Sequence, residues 1–500
     1  MSTKFAFLAL LLAAVATLGG EAARILAIFP SSSPSQVNVY TALTKQLARE
    51  GHQITVLSPF PQKWAPPGYT DFDLMHGPVS EFKNKLAMEG SVLYSTDWKE
   101  FYKTAMYLWR VGVELTEAVM TSPQVKDIMS NPNGFDLVIA EYFLHEALYG
   151  LAPYYKVPLV LFAPSDLVLT DPSPLSFVPH PLLSLNSPMT FTDRLINALA
   201  NTFWAVGYNF FYLPKQETIN KQIFGDDAPS VWDIEPAIIL HNSHPVLSQP
   251  LPLMPNAIEV GGLHIQSKLR DLPEDMQEFI DDAENGVIYF SFGGSLKCSE
   301  MPPVFKNAFL EAFEELDQNV IWVYDGETLP GKPENVFISK WVPQQEILAH
   351  PKTVAMITHG GIVSGQEAAH FGVPVVAVPV FNEQQLRAEK THRDGYGVIL
   401  GLRNVTKNSL LWAINEAVSN PRIKQATEQR ALLLRDQAQP PLERAVFWVE
   451  YVLRHKGARH LQSAGRRLSW WQRHSLDVIG VLITTLLLLP LSLCAVRRGK

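Results

Sequence analysis

The chain reads as an α/β protein of two doubly wound domains, followed by one apolar helix long enough to cross a bilayer. Three observations predict this. Apolar runs of strand length alternate with helical patterns along most of the 500 residues, as consecutive βαβ units require. A Pro-rich stretch, Pro245 to Pro255, interrupts that alternation midway, and a fresh series follows it. From Val478 to Val496 no charged residue occurs, and nineteen residues at about 1.5 Å rise match roughly 30 Å of bilayer hydrocarbon.

Taken in order, Met1 to Ala22 carry Lys4, an apolar run from Phe5 to Leu18 and small residues at Gly20 and Ala22. That is the pattern of a cleaved secretory signal, 1–22. Ile25-Leu-Ala-Ile-Phe predicts a strand, Val39 to Glu50 a helix and Ile54-Thr-Val-Leu a second strand. The same grammar recurs from Phe135-Asp-Leu-Val-Ile-Ala through a helix near Leu144 to Pro158-Leu-Val-Leu-Phe, so a Rossmann-like domain spans 23–244. Pro172 to Pro188 reads as a loop or lid, with the aromatic run Phe203 to Tyr212 beyond it suited to apolar ligands. After a linker at 245–256, strands are expected at Ala257–Val260, Val287–Phe292, Val320–Tyr324, Val336–Ser339, Ala355–Thr358 and Val375–Val378. They make a second Rossmann-like domain, 257–440, with a ligand cleft between the two sets of strand C-termini. Helices and a stem fill 441–475, a single-pass helix 476–496 and a tail 497–500. Trp470 and Trp471 precede the span and Arg497, Arg498 and Lys500 follow it, which places the tail in the cytoplasm and the domains in the lumen. A buried core helix competes poorly there, because little chain follows to cover it. Asn404-Val405-Thr406 is a glycosylation sequon.

Composition narrows the function. Forty-one basic against 49 acidic residues leave a formal charge of −8, which gives no electrostatic footing for nucleic acid. Only Cys298 and Cys494 are present, the latter in the apolar stretch, so an internal disulfide and a Cys-rich zinc site are both excluded. Cys298 reads as an inert thiol. No metal cluster is visible. No Gly-x-Gly-x-x-Gly follows the first strand, where Ile28-Phe-Pro-Ser runs instead, which disfavours a dinucleotide oxidoreductase.

The densest chemistry is Trp341-Val-Pro-Gln-Gln, Thr358-His-Gly-Gly-Ile-Val-Ser-Gly-Gln-Glu367 and Phe381-Asn-Glu-Gln384. In the middle piece a strand stops, glycines admit a close approach, and a helix opens with free N–H groups, together an anion site. Ser364 can add a hydroxyl, and Glu367, on the same helix face, can accept from a sugar hydroxyl. His359 stands beside the anion. An ordinary strand–loop–helix turn would look similar taken alone, since Gly-Gly turns are common.

Ser291-Phe-Gly-Gly, Trp341-Val-Pro-Gln-Gln, His359-Gly-Gly with Ser364 and Glu367, and Asn382-Glu-Gln384 together resemble the donor signature of the UDP-glycosyltransferases. Phe447-Trp-Val-Glu450, Arg454-His-Lys-Gly457 and Ser475-Leu-Asp-Val-Ile-Gly480 resemble the stem and anchor of the animal membrane-bound members, the insect type above all. The resemblance implies the GT-B fold and inverting transfer of a hexose, expected to be glucose, from a UDP-sugar to small lipophilic acceptors, without cofactor or metal. It makes 23–244 the acceptor domain and 257–440 the donor domain. It assigns Trp341 to uracil, Gln344 and Glu367 to the ribose, His359 with Ser364, Gly360 and Gly361 to the phosphates, and Glu383 with Gln384 to the sugar. Ser291 and Gly293 complete the donor set. The tail Arg497-Arg-Gly-Lys500 resembles a dilysine retrieval signal with arginine substituted, which implies a type I protein of the endoplasmic reticulum membrane that contacts lipid through its C-terminal helix. Homo- or hetero-oligomers in the membrane stay open.

Four positions depart from the family pattern. Glu383 stands where Asp is usual and Val363 where Asn is frequent, which leaves the choice of sugar open. In Phe29-Pro-Ser-Ser-Ser-Pro-Ser-Gln36, Gln36 occupies the place of the histidine that takes the acceptor's proton, and an amide does not accept a proton near neutral pH. The matching acidic partner is Glu141, where the family usually shows Asp, with Glu146 a second candidate; His52 leads into a strand on the far side and does not rescue the site. The sequence thus allows an atypical transferase using Glu141 or acceptors that need no base. It also allows a catalytically weak UDP-sugar-binding homologue acting as a partner of active enzymes.

Overall fold

The computed structural model describes residues 22–30, 34–88, 99–131, 133–164, 174–185, 188–294, 296–380, 382–463, 465, 468–473 and 475–498. The signal-like stretch up to 21 and residues 499–500 lie outside them. Two parallel sheets organise the chain. The first holds β1 (Arg24–Ile28), β2 (Gln53–Ser58), β3 (Tyr69–Asp73), β4 (Leu137–Glu141), β5 (Leu159–Ala163), β6 (Ile238–His241) and β7 (Ala257–Glu259), in the order β3-β2-β1-β4-β5-β6-β7. The second holds β8 (Val287–Ser291), β9 (Asn319–Val323), β10 (Val336–Ser339), β11 (Thr353–Thr358), β12 (Val375–Ala377) and β13 (Gly397–Ile399), in the order β10-β9-β8-β11-β12-β13. In each sheet the strand order reverses once, at β1/β4 and at β8/β11, and ligands bind doubly wound sheets at such switch points.

The central strands read as unbroken apolar runs because helices bury both faces. Under one face of the first sheet, Ile25, Ala27, Leu137 and Ile139 pack against Val37, Tyr40, Leu43 and Leu47 of α1 (Pro34–Arg49). Under the other, Leu26, Ile28, Val138 and Ala140 meet Leu115 and Val119 of α2 (Phe101–Met120). A satellite aromatic cluster joins Trp109 of α2 to Trp204 of α3 (Phe191–Gly207), whose N-terminus is closed by a reciprocal Thr190–Asp193 capping box. Tyr208–Tyr212 continues it as a π-helical turn into α4 (Leu213–Phe224). In the second domain, α5 (Gln344–Ala349), α6 (Ile362–Phe371) and α7 (Asn382–Arg393) each follow a strand end.

The sequence places Ala257 at the head of the second domain; the structure corrects this. β7 pairs with β6 in the first sheet, Leu240 opposite Ile258. The Pro-rich segment is the crossover that a parallel return demands, and such connections need a dozen or more residues. Passage to the second sheet comes later, through Gly261–Gln266. The chain also returns: Ala445, Val446, Val449 and Val452 of α8 (Pro441–Arg454) pack into the same core as α1. Strands β3, β6 and β13 go unpredicted, being polar, short or both.

The terminal helix, α9 (Leu476–Arg498), exposes Val478, Val481, Leu482, Leu486 and Leu489. Among the described residues no helix is long and apolar enough to cross a membrane, and the α9 side chains from 490 onward lie outside them.

Gly207 is required where α3 crosses α2: a Cβ there would stand 1.9 Å from Trp109 Cη2. Gly207→Ala should therefore overpack this contact and cost about 1–3 kcal/mol, read as a lowered midpoint in urea unfolding with an unchanged slope.

Candidate active site

Both switch points carry the residues singled out above. On the second sheet, β8 ends at Ser291, whose hydroxyl accepts from Gly293 N at 3.2 Å. Gly293 adopts φ +69°, and a Cβ there would meet His359 Cε1 at 2.8 Å; one on Gly361 would meet the same atom at 2.8 Å. The two glycines thus clasp the His359 imidazole, which follows β11. Gly360, at φ +87°, lies against the Gln384 carbonyl. The ring is buried and its Nδ1 has no hydrogen-bond partner. Burial, and then the nearby Arg387 charge, lowers its pKa from 6.5 to about 4, so a neutral imidazole faces the cleft.

Beside it, α5 and α6 meet through side chains. Gln344 accepts from the Tyr289 hydroxyl at 2.8 Å and donates to Ser364 Oγ at 3.2 Å and to Glu367 Oε2. Gln345 donates to Glu367 Oε1 at 2.8 Å, and His264 Nε2 lies 3.2 Å from that same oxygen. The spacing of Ser364 and Glu367, one turn apart, does put both on one face. Trp341 precedes this cluster as an indole 72% exposed, its carbonyl accepting from Ser339 Oγ at 2.7 Å. Gln384 is buried in the first turn of α7 and accepts from Val380 N at 3.0 Å; the Glu383 side chain lies outside the described residues.

On the first sheet, Glu141 ends β4, buried, two residues beyond Ile139 on the α1 side. The Tyr40 phenol is raised by burial and then by the Glu141 carboxylate. Gln36 precedes Tyr40 by one turn on the same face of α1, so Gln36 and Glu141 converge at the β1/β4 switch point. Glu146 is engaged elsewhere: its oxygens accept from the Tyr208 and Tyr212 hydroxyls at 2.5 and 2.7 Å, and Gln216 donates to Tyr212 at 2.8 Å. Burial holds that carboxyl above its usual range. His52 sits at the opposite end of the sheet, accepting from Ala23 N at 3.1 Å.

The domains touch around the cleft. A Cβ on Gly294 would lie 3.0 Å from Pro34 Cβ, Gln366 donates to the Asn242 carbonyl at 3.1 Å, and Ser184 donates to Glu389 at 2.6 Å. Val363 packs into the first domain's core, with Ile362 against it, so α6 belongs to both halves. Away from the cleft, Cys298 is buried and its thiol raised by that burial. Asn404 is exposed in a turn ahead of a helix capped by Thr406. Among the described residues no group of three or more His, Cys, Asp or Glu side chains is placed to hold a metal ion. Sequence reasoning missed Tyr289, Gln345 and His264. The Gly261-Gly262 pair before His264 was the one available signal.

The fold is that of two-domain glycosyltransferases, GT-B. The glycosyltransferase VinC in complex with dTDP superposes with a TM-score of 0.59 at 17% identity, covering 86% of this chain and 100% of that one. TcCGT1 in complex with UDP gives 0.58 at 15%, covering 87% and 100%. A family profile described as UDP-glucoronosyl and UDP-glucosyl transferase matches residues 24–496. UDP-glucosyltransferase 2 of Dactylopius coccus is 34% identical over 96% of this chain and 94% of its own length; UDP-glucuronosyltransferase 2B17 of Rattus norvegicus is 30% identical over 93% and 91%. The chain belongs to this family and is a UDP-glycosyltransferase that takes a UDP-sugar as donor.

His359 and His241, lowered to about 4, and His145 and His180, lowered to about 3, are all held neutral by burial. Between pH 6.5 and about 4 the unfolded chain binds protons that the folded chain refuses, so stability must fall as pH falls through that window. The raised Glu146 works in the opposite direction. Thermal unfolding should show a lower midpoint at pH 5 than at pH 7, and NMR should find the His359 ring unprotonated at pH 6.

Proposed function

We propose that this enzyme moves a hexose, glucose in the first instance, with inversion from a UDP-sugar to small lipophilic acceptors, and does so without an imidazole base. The observation that carries the reading is the Gln344–Ser364–Glu367 cluster beside an open indole at one switch point, facing Gln36 and Glu141 at the other. In this reading Trp341 stacks on uracil, and Gln344 and Glu367 take the ribose. The His359 ring, Ser364 and the start of α6 take the diphosphate, where helix N–H groups favour negative charge. Glu383 and Gln384 hold the sugar. The acceptor atom attacks the anomeric carbon opposite the phosphate, and UDP leaves with the electron pair of the broken bond. Gln36 orients but cannot deprotonate. Glu141 receives the proton, or the acceptor is an amine, an acidic phenol or a carboxylic acid that needs no base.

We further place α9 as a single-pass anchor in the endoplasmic reticulum membrane, with both domains lumenal and Asn404 glycosylated. The exposed apolar side chains from Val478 to Leu489 support this.

The test is UDP release from UDP-glucose across an acceptor panel. The native chain should turn over amines and acidic phenols, and Gln36→His should raise turnover of neutral hydroxyl acceptors by up to about 10²–10⁴. Silence of both proteins, with UDP still raising the melting temperature, would make the chain a donor-binding partner of active enzymes instead. Trp341→Ala should weaken UDP binding about five- to a hundredfold, since a stacked base contributes roughly 1–3 kcal/mol.

A further inference from the structure

We infer that His264 is a positioning residue for the donor nucleoside, acting through the Glu367 carboxylate and not by touching the sugar nucleotide. The inference rests on the reading of Glu367 as the acceptor of the ribose hydroxyls. The His264 side chain is 1% exposed, and its Nε2 lies 3.2 Å from Glu367 Oε1. Neither ring nitrogen has a hydrogen-bond partner: the ring lies at contact distance from the carboxylate, slightly off the hydrogen-bonding line. A carboxylate at Nε2 selects the tautomer that carries its proton there.

Glu367 is itself buried, and a buried carboxylate must be satisfied by donors. Gln344 donates to Oε2 and Gln345 to Oε1. An ionised carboxylate offers about four lone-pair directions. Two amides take up directions facing the protein and the imidazole packs against Oε1 beside them, which leaves the cleft side for hydroxyls of a ligand. Removing the imidazole frees Oε1 to swing away from that side.

His264 is also anchored to both domains. Gly261 N donates to the Ser243 carbonyl at 2.9 Å, and Leu263 is buried in the first domain's core. One residue later the chain serves the second domain: the His264 carbonyl accepts from Gln345 at 3.3 Å, and Gln266 N donates to Gln345 Oε1 at 2.8 Å. The segment that leaves the first sheet therefore supplies part of the scaffold that aims the donor-site carboxylate.

The experiment is calorimetric titration of the full chain with UDP and with 2′-deoxy-UDP, alongside steady-state kinetics. It compares the native protein with His264→Leu, His264→Gln, Glu367→Gln and the double variant His264→Leu/Glu367→Gln. His264→Leu should weaken UDP about tenfold and raise KM for UDP-glucose in proportion, with kcat changed less than about twofold. It should leave 2′-deoxy-UDP nearly unaffected and add nothing to Glu367→Gln. His264→Gln, which keeps an N–H donor, should restore most of the affinity. Should the leucine variant not fold, His264→Asn, too short to reach the carboxylate, takes its place with the same expectations. Equal losses for the two nucleotides, additive losses in the double variant, or no loss would overturn the positioning role while the ribose reading stands. A native chain that does not prefer UDP over 2′-deoxy-UDP would instead overturn the ribose reading, and this inference with it.

Discussion

A parallel strand must pass its chain to a crossover at its C-terminal end, and where the strand order reverses, two crossovers part and leave a crevice. In this protein two such crevices face each other. Gln36 and Glu141 occupy one, and Ser291, Gly293 and His359 the other, because β1, β4, β8 and β11 are the four strands that border the reversals. No individual side chain creates the site. The sheets do, and the side chains decide what it can hold and which protons it can move.

Much of that frame was legible in the sequence. Apolar pentapeptides such as Ile25-Leu-Ala-Ile-Phe and Val287-Ile-Tyr-Phe-Ser, alternating with helical patterns, read as buried strands of a parallel sheet, so both domains could be laid out from them. β3, Tyr-Thr-Asp-Phe-Asp, lies at the sheet edge and carries no apolar run to announce it. β7 is three residues long behind a Pro-rich stretch, and composition cannot say which sheet such a strand joins. The cluster at the second switch point was legible because glycines, a histidine and a glutamate at helical spacing form one continuous pattern. His264 was not, because its partner lies about a hundred residues on and only the packed fold brings the two together. Glu141 and Glu146 could not be ranked from sequence, since the choice depends on strand phase and on Tyr208 and Tyr212 closing over the second carboxyl.

Two of the departures from the family pattern, Gln36 and Val363, fall near one another in space. Gln36 opens α1 and Val363 opens α6; Val363 packs in the same core as Val37 of α1, and Pro34 at the head of α1 lies against Gly294 in the loop after β8. An amide and an isopropyl group leave this seam less basic and more apolar than the histidine and asparagine of the family pattern would. Glu141 is buried at the end of β4, on the α1 side of the first sheet.

The ribbon from Gly261 to Gln266 has a mechanical meaning. Gly262 turns at φ +86°, and Gly261 is pressed so closely on Ser243 that no side chain fits. Were the two lobes to swing about this ribbon, displacement would grow with distance from it, as in a door. Glu367 sits beside the pivot and would scarcely travel, whereas more distant parts of the cleft would sweep through longer arcs. A mouth that gapes at its rim while its grip near the hinge stays steady can admit and release a bulky guest without losing the alignment it needs for the next one.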